Sequence, residues 1–233
     1  MKALLIPVKD TANAKTRLAG LLSPEERARL AWAMFEDVSH AVAATTKADR
    51  TFVVSSFGPA INRARRFGWE VLIEQTQESE SASVDWASRL LAEQGFDTVM
   101  RLPADIPLVE APDIDALLSI ELKPPGAVLV PSREGTGTNA IIRTPPHLLQ
   151  SKFGPNSLQL HKEEAARVGA VCSVVTNERI ALDIDEPEDL RWLLRLSVGG
   201  ITRRLLEEFG IGERVTIAGG DGGLLPLPAS SRS

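Results

Sequence analysis

Residues 98–108 read Thr-Val-Met-Arg-Leu-Pro-Ala-Asp-Ile-Pro-Leu, an apolar run that stops at a proline and is followed by an acidic residue. The apolar and β-branched residues of Thr98–Leu102 predict a buried strand, which Pro103 ends. Ligands bind at the carboxyl ends of the strands in open α/β sheets. Asp105 therefore stands where a binding site is expected, if this strand belongs to such a sheet.

The alternation of short apolar runs and helical stretches extends to both sides of this strand. Other strands are predicted at Ala3–Val8, Thr51–Ser55, Trp69–Ile73 and Ala127–Pro131. Helical stretches separate them, and the first begins at Ser23 with the serine–proline–glutamate pattern of a capped helix. Such an alternation predicts an α/β fold with a mainly parallel sheet that helices cover on both faces.

Beyond residue 131 strands follow one another more closely, which predicts a mixed edge to the sheet. Strands are predicted at Asn139–Arg143, Val171–Thr176 and Ile180–Ile184, and helices at Asn156–Val168, Glu188–Leu196 and Ile201–Phe209. Residues 218–233 are rich in glycine, proline and serine and are predicted to be disordered. Residues 1–217 are then expected to form a single domain.

Composition limits the classes of function. The 233 residues are 43% hydrophobic and 24% charged, as in an ordinary globular protein. A net charge of −5 provides no general attraction for nucleic acid or anionic membranes, and no signal peptide or membrane span is recognisable, so we expect a cytoplasmic protein. The single cysteine, Cys172, rules out an intramolecular disulfide and lies in a predicted buried strand.

Three aspartates are candidate metal ligands. Asp183 and Asp185 are separated by one residue, so in an extended chain they point to the same side. Carboxylates held together repel each other unless a cation joins them, and Mg²⁺ prefers oxygen ligands. Asp105, at the end of its strand, is the third candidate. The alternative is that Asp185 caps the helix beginning near Pro187 and that Asp105 caps a turn.

Basic residues cluster in the loop after the first strand. Lys9, Lys15 and Arg17 would form an anion site there, since guanidinium and ammonium groups both bind phosphate. The alternative is a solvated basic loop.

Two glycine-containing loops complete the candidate site. In Gly135–Asn139 the glycines permit close approach to a ligand and Thr138 offers a hydroxyl, although a tight turn explains the same residues. Phe153–Ser157 precedes a predicted helix and would present N–H groups to an anion, although an Asn or Ser cap without a ligand is the alternative. The sequence has no P-loop, and its histidines (His40, His147 and His161) lack metal-ligand spacing, so none is assigned a catalytic role.

Together these loops resemble one family, the guanylyltransferases of coenzyme F420 biosynthesis that act on 2-phospho-L-lactate, phosphoenolpyruvate or 3-phospho-D-glycerate. The resemblance covers roughly residues 3–195. The matching segments, in chain order, are Pro7–Lys9, Ala14–Leu18, Asp105–Leu108, Gly135–Asn139, Phe153–Ser157 and Leu182–Leu190.

The resemblance implies a three-layer α/β/α fold of the nucleotidyltransferase (nucleotide-diphospho-sugar transferase) type and Mg²⁺-dependent transfer of GMP from GTP. By position, Asp105, Asp183 and Asp185 would bind the metal, and Thr138, Gly154 and Ser157 the phosphoacid. Lys9, Lys15 and Arg17 would hold the nucleotide phosphates, with Lys15 and Arg17 as the catalytic cations. We also hypothesise a homodimer.

This chain departs from the family pattern at two places. The family often has glycine where Ala104 precedes the first metal-binding aspartate, and a leucine–asparagine pair where Val84 and Asp85 stand. Asp85 would accept hydrogen bonds from the guanine N1–H and amino group. Two alternatives remain: a related nucleotidyltransferase acting on another phosphorylated acceptor, such as a molybdopterin or a sugar phosphate, and a non-catalytic nucleotide-binding module.

Overall fold

A seven-stranded sheet forms the centre of the protein in a computed structural model that describes residues 1–74, 78–196 and 199–218. The strand order is β3-β2-β1-β4-β6-β5-β7. The strands are β1 (Lys2–Pro7), β2 (Arg50–Val54), β3 (Glu70–Leu72), β4 (Thr98–Arg101), β5 (Gly126–Pro131), β6 (Thr138–Thr144) and β7 (Val171–Val174).

The sheet is mainly parallel and mixed, as predicted. Every neighbouring pair is parallel except the two that involve β6, which runs antiparallel to both β4 and β5. The prediction of a mixed edge was wrong in its position, because the antiparallel strand lies inside the sheet. A short connection returns the chain from β5 directly into β6 as a hairpin, and β6 fills the place between β5 and β4.

Helices cover both faces of this sheet and form the outer layers of an α/β/α arrangement. The helices are α1 (Pro24–Ala43), α2 (Gly58–Arg66), α3 (Glu80–Glu93), α4 (Ala111–Leu118), α5 (Ser157–Arg167), α6 (Glu178–Ala181), α7 (Pro187–Arg195), α8 (Ile201–Glu208) and α9 (Ile211–Ala218). Among the residues that the structure describes, no helix is both long and apolar enough to cross a membrane.

The alternation of side chains along β1 divides the core between the two faces. Leu4 and Ile6 pack with residues of α1, α2 and α4, whereas Ala3 and Leu5 pack with residues of α3. The buried Ala165 and the partly buried Leu158 of α5 cover the β5–β6 part of that second face. A separate cluster joins α7, α8 and α9 to α1, so the C-terminal helices extend the first helical layer.

The predicted start of α1 is confirmed in detail. Ser23 Oγ accepts a hydrogen bond of 3.2 Å from the Glu26 N–H, and the Glu26 carboxylate accepts one of 2.8 Å from the Ser23 N–H. The last described helix, α9, was not predicted. Ala218 ends it, and the rest of the predicted disordered tail, residues 219–233, lies outside the described residues.

The predicted strand Ile180–Ile184 was wrong. The Asn177 side chain accepts hydrogen bonds from the N–H groups of Arg179 and Ile180, which begins the short helix α6 instead. The description of Cys172 as part of a buried strand was also wrong. Strand β7 lies at the sheet edge, where Val171 is 66% exposed and Cys172 is half-buried.

Candidate active site

The ammonium group of Lys15 joins two of the three predicted aspartates. Its Nζ lies 2.6 Å from Asp105 Oδ2 and 2.7 Å from Asp185 Oδ1. Asp105 follows β4 and Lys15 follows β1, and these two strands are adjacent in the sheet. The carboxyl ends of neighbouring parallel strands thus bring together residues that are far apart in the sequence, as the strand-end rule predicts.

The segment that carries the other two aspartates is irregular, yet its side chains alternate. Ile184 is fully buried, while Asp183 and Asp185 on either side of it are half-buried. The Ile184 N–H donates a hydrogen bond of 3.1 Å to the backbone carbonyl of Asp105. This bond holds the whole segment against the end of β4, so both aspartates lie beside Asp105.

The helix-capping alternative for Asp185 was wrong. Glu186 is the N-cap residue of α7. The Asp189 carboxylate accepts hydrogen bonds from the backbone N–H groups of Glu186 at 2.8 Å and Asp185 at 3.1 Å. Because Asp189 satisfies the helix start, the Asp185 side chain remains available to Lys15.

Lys15 reaches this position through an unusual backbone conformation. Its φ of 52° and ψ of 43° are left-handed, which is uncommon for a residue other than glycine. The neighbouring chain is held by Arg27, whose Nε donates a hydrogen bond of 3.3 Å to the Ala14 carbonyl. Strain of this kind persists only where surrounding contacts hold the residue in place.

The titration of the cluster reflects these distances. Burial alone would lower the pKa of Lys15, but the carboxylates of Asp105 and Asp185 raise it above its ordinary value. Burial alone would raise the pKa of Asp105, and contact with Lys15 lowers it instead. Lys15 and Asp105 are therefore both charged at neutral pH.

Asp183 behaves differently because no cation is paired with it among the described residues. Burial, followed by repulsion from Asp105, raises its pKa to about 6. Asn139 Nδ2 donates a hydrogen bond of 3.0 Å to Asp183 Oδ1 and also bonds the carbonyls of Ile180 and Ala181. A carboxylate held in this way would be stabilised by an additional positive charge.

A cavity of about 310 Å³ is lined by residues that include Lys9, Lys15, Asp105 and Asp185, whereas Arg17 is not among them. Lys9 is exposed. Arg17 is 64% exposed, with its Nη1 at 3.5 Å from Glu186 Oε1 and 3.9 Å from Asp185 Oδ2. A larger cavity of about 590 Å³ beside the beginning of β2 contains none of the predicted site residues.

One cavity residue, Arg101, was missed by the sequence analysis. Its buried guanidinium donates a hydrogen bond of 2.8 Å to the Asn139 carbonyl, pairs with Glu80, and lies 4.2 Å from the ring centre of Phe153. Arg101 also lines the cavity that contains Lys15 and Asp105. An arginine inside an apolar strand was the available signal, because charged residues are rarely buried unless paired.

The three predicted acceptor-binding residues come from two loops that are bonded to each other. The Leu158 N–H, in the first turn of α5, donates a hydrogen bond of 3.0 Å to the Thr136 carbonyl. Thr138 and Ser157 are buried, at 5% and 2% exposure. The loop before Thr138 is also the turn of the β5–β6 hairpin, so the tight-turn alternative describes it correctly.

The start of α5 leaves its N–H groups without a side-chain cap. Asn156 occupies the N-cap position in a left-handed conformation, with φ of 58°, and makes no capping hydrogen bond. The capping alternative is therefore wrong for Asn156. Gly154 has a φ of +124°, which residues with a Cβ rarely adopt.

Asp85 is not brought to the cavity of Lys15 and Asp105. Its carboxylate accepts hydrogen bonds from the Ser151 hydroxyl at 2.6 Å and from Arg143 Nη1 at 3.2 Å. Arg143 is fully buried in β6, so Asp85 supplies the charge that balances it. Contact with a guanine base remains a prediction for this residue.

The donor chemistry of the three aspartates suits a hard divalent cation. Asp183 in particular is a half-buried carboxylate that lacks a cationic partner among the described residues. As they stand, no three acidic, histidine or cysteine side chains of the described ranges are grouped closely enough to hold a metal ion. The Lys15 ammonium instead joins Asp105 and Asp185.

This architecture defines a class of protein. A solved structure of a putative nucleotide-diphospho-sugar transferase from Desulfovibrio desulfuricans superimposes with a TM-score of 0.72 at 20% identity, covering 91% of this chain and 97% of that one. The fold is of the nucleotide-diphospho-sugar transferase type, and the candidate site lies at the carboxyl ends of β1 and β4.

The family follows from sequence. The guanylyl transferase CofC-like family model matches residues 1–218, and the chain belongs to this family. A phosphoenolpyruvate guanylyltransferase of Rubrobacter xylanophilus is 36% identical over 186 residues, which are 80% of this chain and 90% of the relative. A 2-phospho-L-lactate guanylyltransferase of Methanothermobacter thermautotrophicus is 32% identical over 204 residues, which are 88% of this chain and 89% of the relative.

Proposed function

We propose that this protein transfers GMP from GTP to a phosphorylated three-carbon acid in coenzyme F420 biosynthesis, releases pyrophosphate and acts in the cytoplasm. The acceptor is phosphoenolpyruvate, 2-phospho-L-lactate or 3-phospho-D-glycerate. The observation that carries this proposal is the cluster of Lys15, Asp105 and Asp185 at the cavity, in a chain of this family. Positive and negative groups brought together there suit the binding of phosphates and a cation.

In the proposed reaction an oxygen of the acceptor's phosphate attacks the α-phosphorus of GTP. The bond between the α-phosphorus and the oxygen bridging to the β-phosphate breaks, and pyrophosphate leaves. Such a transfer requires positioning and charge neutralisation rather than a side-chain nucleophile. Lys9, Lys15 and Arg17 are assigned to the phosphates of GTP and to the departing pyrophosphate.

The proposal includes Mg²⁺, with Asp105, Asp183 and Asp185 as the residues that would hold it. A bound Mg²⁺ would neutralise phosphate charge and polarise the oxygens around phosphorus. The raised pKa of Asp183, which is due to burial and to repulsion by Asp105, supports this assignment because a nearby cation would favour its ionised form.

The acceptor is assigned to Thr138, Gly154 and Ser157. In this net-acidic protein these residues offer neutral donors, which are the hydroxyl groups of Thr138 and Ser157 and the backbone N–H of Gly154, whereas the Ser157 N–H already donates to the Gly154 carbonyl. Arg101, which is bonded to the carbonyl of Asn139, adds a positive charge next to them. Neutral donors beside a fixed cation suit a small acid that carries both phosphate and carboxylate.

The test is pyrophosphate release from GTP and Mg²⁺ with each of the three phosphoacids in turn. Release that depends on one of them supports the proposal, and the ratio of kcat/KM values identifies the preferred acid. Parallel reactions with CTP, and with sugar phosphates, test the related transferases. Binding of GTP without release in any of these mixtures would identify a nucleotide-binding module instead.

A further inference from the structure

His161 is fully buried within α5, between the two loops assigned to the acceptor. Its Nδ1 lies 3.0 Å from the Thr138 hydroxyl oxygen. Its Nε2 accepts a hydrogen bond of 2.8 Å from the backbone N–H of Lys152. The ring also packs edge-on against Phe153, with the ring centres 5.2 Å apart, so its orientation is determined on several sides.

These contacts determine which ring nitrogen carries the proton. A backbone N–H can only donate, so Nε2 must present its lone pair to Lys152. A neutral histidine with a lone pair on Nε2 carries its hydrogen on Nδ1. Burial, together with the positive charges of Arg143 and Arg101, lowers the pKa of His161 to about 4, which keeps the ring neutral at pH 7.

The state of the histidine in turn determines the direction of the Thr138 hydroxyl. Because Nδ1–H must donate, the Thr138 oxygen accepts, and its own hydrogen points elsewhere. No acceptor for that hydrogen is found among the described residues. Thr138, only 5% exposed, therefore retains a donor that no described residue uses.

We propose that His161 is a positioning residue for the transfer reaction. By donating to Thr138, it leaves the threonine hydroxyl as a donor to the phosphate or carboxylate of the acceptor. The inference rests on the proposed function, since it requires that the acceptor binds at Thr138. The histidine contact explains why the Thr138 hydroxyl can only donate to the ligand. Such a hydroxyl would favour an anion over a neutral group.

Nitrogen-15 chemical shifts of the His161 ring test the orientation without any reaction. In the full-length protein, we expect a protonated Nδ1 and an unprotonated Nε2 at every pH above about 5, one unit above the histidine's pKa of about 4. A protonated Nε2 at neutral pH would overturn the inference. Replacement of His40 and of His147 by phenylalanine, each in turn, identifies the signals that do not belong to His161.

Steady-state kinetics at saturating GTP test the role itself. We expect Thr138→Val and His161→Phe each to raise the KM for the acceptor by about 10- to 100-fold, the range for loss of a hydrogen bond to a charged group. The double variant should be no worse than Thr138→Val alone, since the histidine acts through that hydroxyl. The KM for GTP should stay within about twofold of the parent value.

His161→Gln, which keeps one donor and one acceptor, should recover part of the acceptor affinity that His161→Phe loses, and it guards against a folding defect in the phenylalanine variant. His40→Phe should leave both KM values unchanged. Additive effects in the double variant, or an equal rise in the KM for GTP, would show that His161 only supports the local fold. No turnover by the parent protein with any acceptor overturns the proposed function, whereas the ring tautomer is measured separately.

Discussion

The backbone N–H of Ile184 donates a hydrogen bond of 3.1 Å to the backbone carbonyl of Asp105. This bond joins two acidic motifs that are far apart in the chain. Ile184 is fully buried, so its neighbours Asp183 and Asp185 are directed away from the core, toward the side on which Asp105 lies. Lys15 then bonds Asp105 and Asp185 together. The relationship makes the three carboxylates interdependent.

Replacement of each carboxylate by its amide is the first test of this interdependence. Asp105→Asn, Asp183→Asn and Asp185→Asn should each abolish most turnover, because charge is lost while shape is kept. If the three act on shared ions, the loss of turnover in a multiple variant should be smaller than the product of the losses in the single variants. Asp97→Asn, a surface substitution at the side chain paired with the amino terminus, is the control. Near-normal kcat in any one of the three variants would exclude that residue from the site.

Lys15→Met should lower the free energy of unfolding more than replacement of any exposed cation of the same loop. The Lys15 side chain is only 8% exposed, and its loss leaves Asp105 and Asp185 close together without the ammonium that bridges them. We expect a loss of about 1–3 kcal/mol in the free energy of unfolding, which is less than for a fully buried pair because both aspartates are partly exposed. Added Mg²⁺ should restore more stability in this variant than in the parent. Thermal unfolding with and without Mg²⁺ measures both effects.

Arg17→Ala is the matched variant for that experiment. Arg17 is 64% exposed, so its loss should leave thermal stability unchanged and raise the KM for GTP. Arg17→Lys should recover only part of the GTP affinity, because an ammonium cannot reproduce a bidentate guanidinium contact. An unchanged KM for GTP in Arg17→Ala would indicate a solvated loop.

Gly154 and Ser157 separate backbone from side-chain effects at the acceptor loop. Ser157→Ala should raise the KM for the acceptor, because about 1–3 kcal/mol of its binding free energy is lost, and should change the KM for GTP little. Gly154→Val should raise the KM for the acceptor more than Ser157→Ala does. A Cβ at Gly154 meets no protein atom within 4 Å, so the protein strain comes from its φ of +124°. Gly169→Ala, at a φ of +70° beyond the end of α5, controls for strain alone. Parent-like acceptor titration of both site variants would place the acceptor elsewhere.

Asp85→Ala distinguishes a structural from a nucleotide-binding role. The fully buried Arg143 loses its carboxylate partner in this variant, so we expect destabilisation of about 3 kcal/mol in urea unfolding. A role in guanine recognition predicts in addition a change in the ratio of kcat/KM for GTP to that for ATP. An unchanged ratio with lowered stability would assign Asp85 to the fold alone.

The buried His161 should make stability depend on pH. Burial, together with nearby positive charges, lowers its pKa in the folded protein to about 4, against 6.5 in the unfolded chain. The unfolded state therefore binds the extra proton between these values, and stability falls as the pH drops below about 6.5. At pH 5 this linkage lowers the free energy of unfolding by about 2 kcal/mol relative to its value well above pH 6.5. His161→Gln should show a shallower decline than the parent in urea unfolding at pH 5 and 7.5, and parallel curves would contradict the assignment.

The sequence by itself determined the elements whose signals are local. The capping box at Ser23 and Glu26 uses residues within one turn, and the apolar runs of β1, β2 and β4 are continuous in the chain. The order of the loop motifs was sufficient for the family, because a motif match requires no knowledge of contacts. Local periodicity also predicted that Asp105 follows a strand and so lies at the functional edge of the sheet.

Tertiary structure alone decided what depends on contacts between distant segments. No local pattern places β6 between β4 and β5, because strand order is set by which strand edges pair through backbone hydrogen bonds. The tether from Ile184 to Asp105 orients Asp183 and Asp185 where no strand exists to do so. Likewise, Asp85 is engaged by Arg143, and His161 by Thr138, through side chains that meet only after the sheet has formed. Hydrogen bonds and charges act over a few ångströms in space, whatever the separation in sequence, and so these roles were decided by the fold.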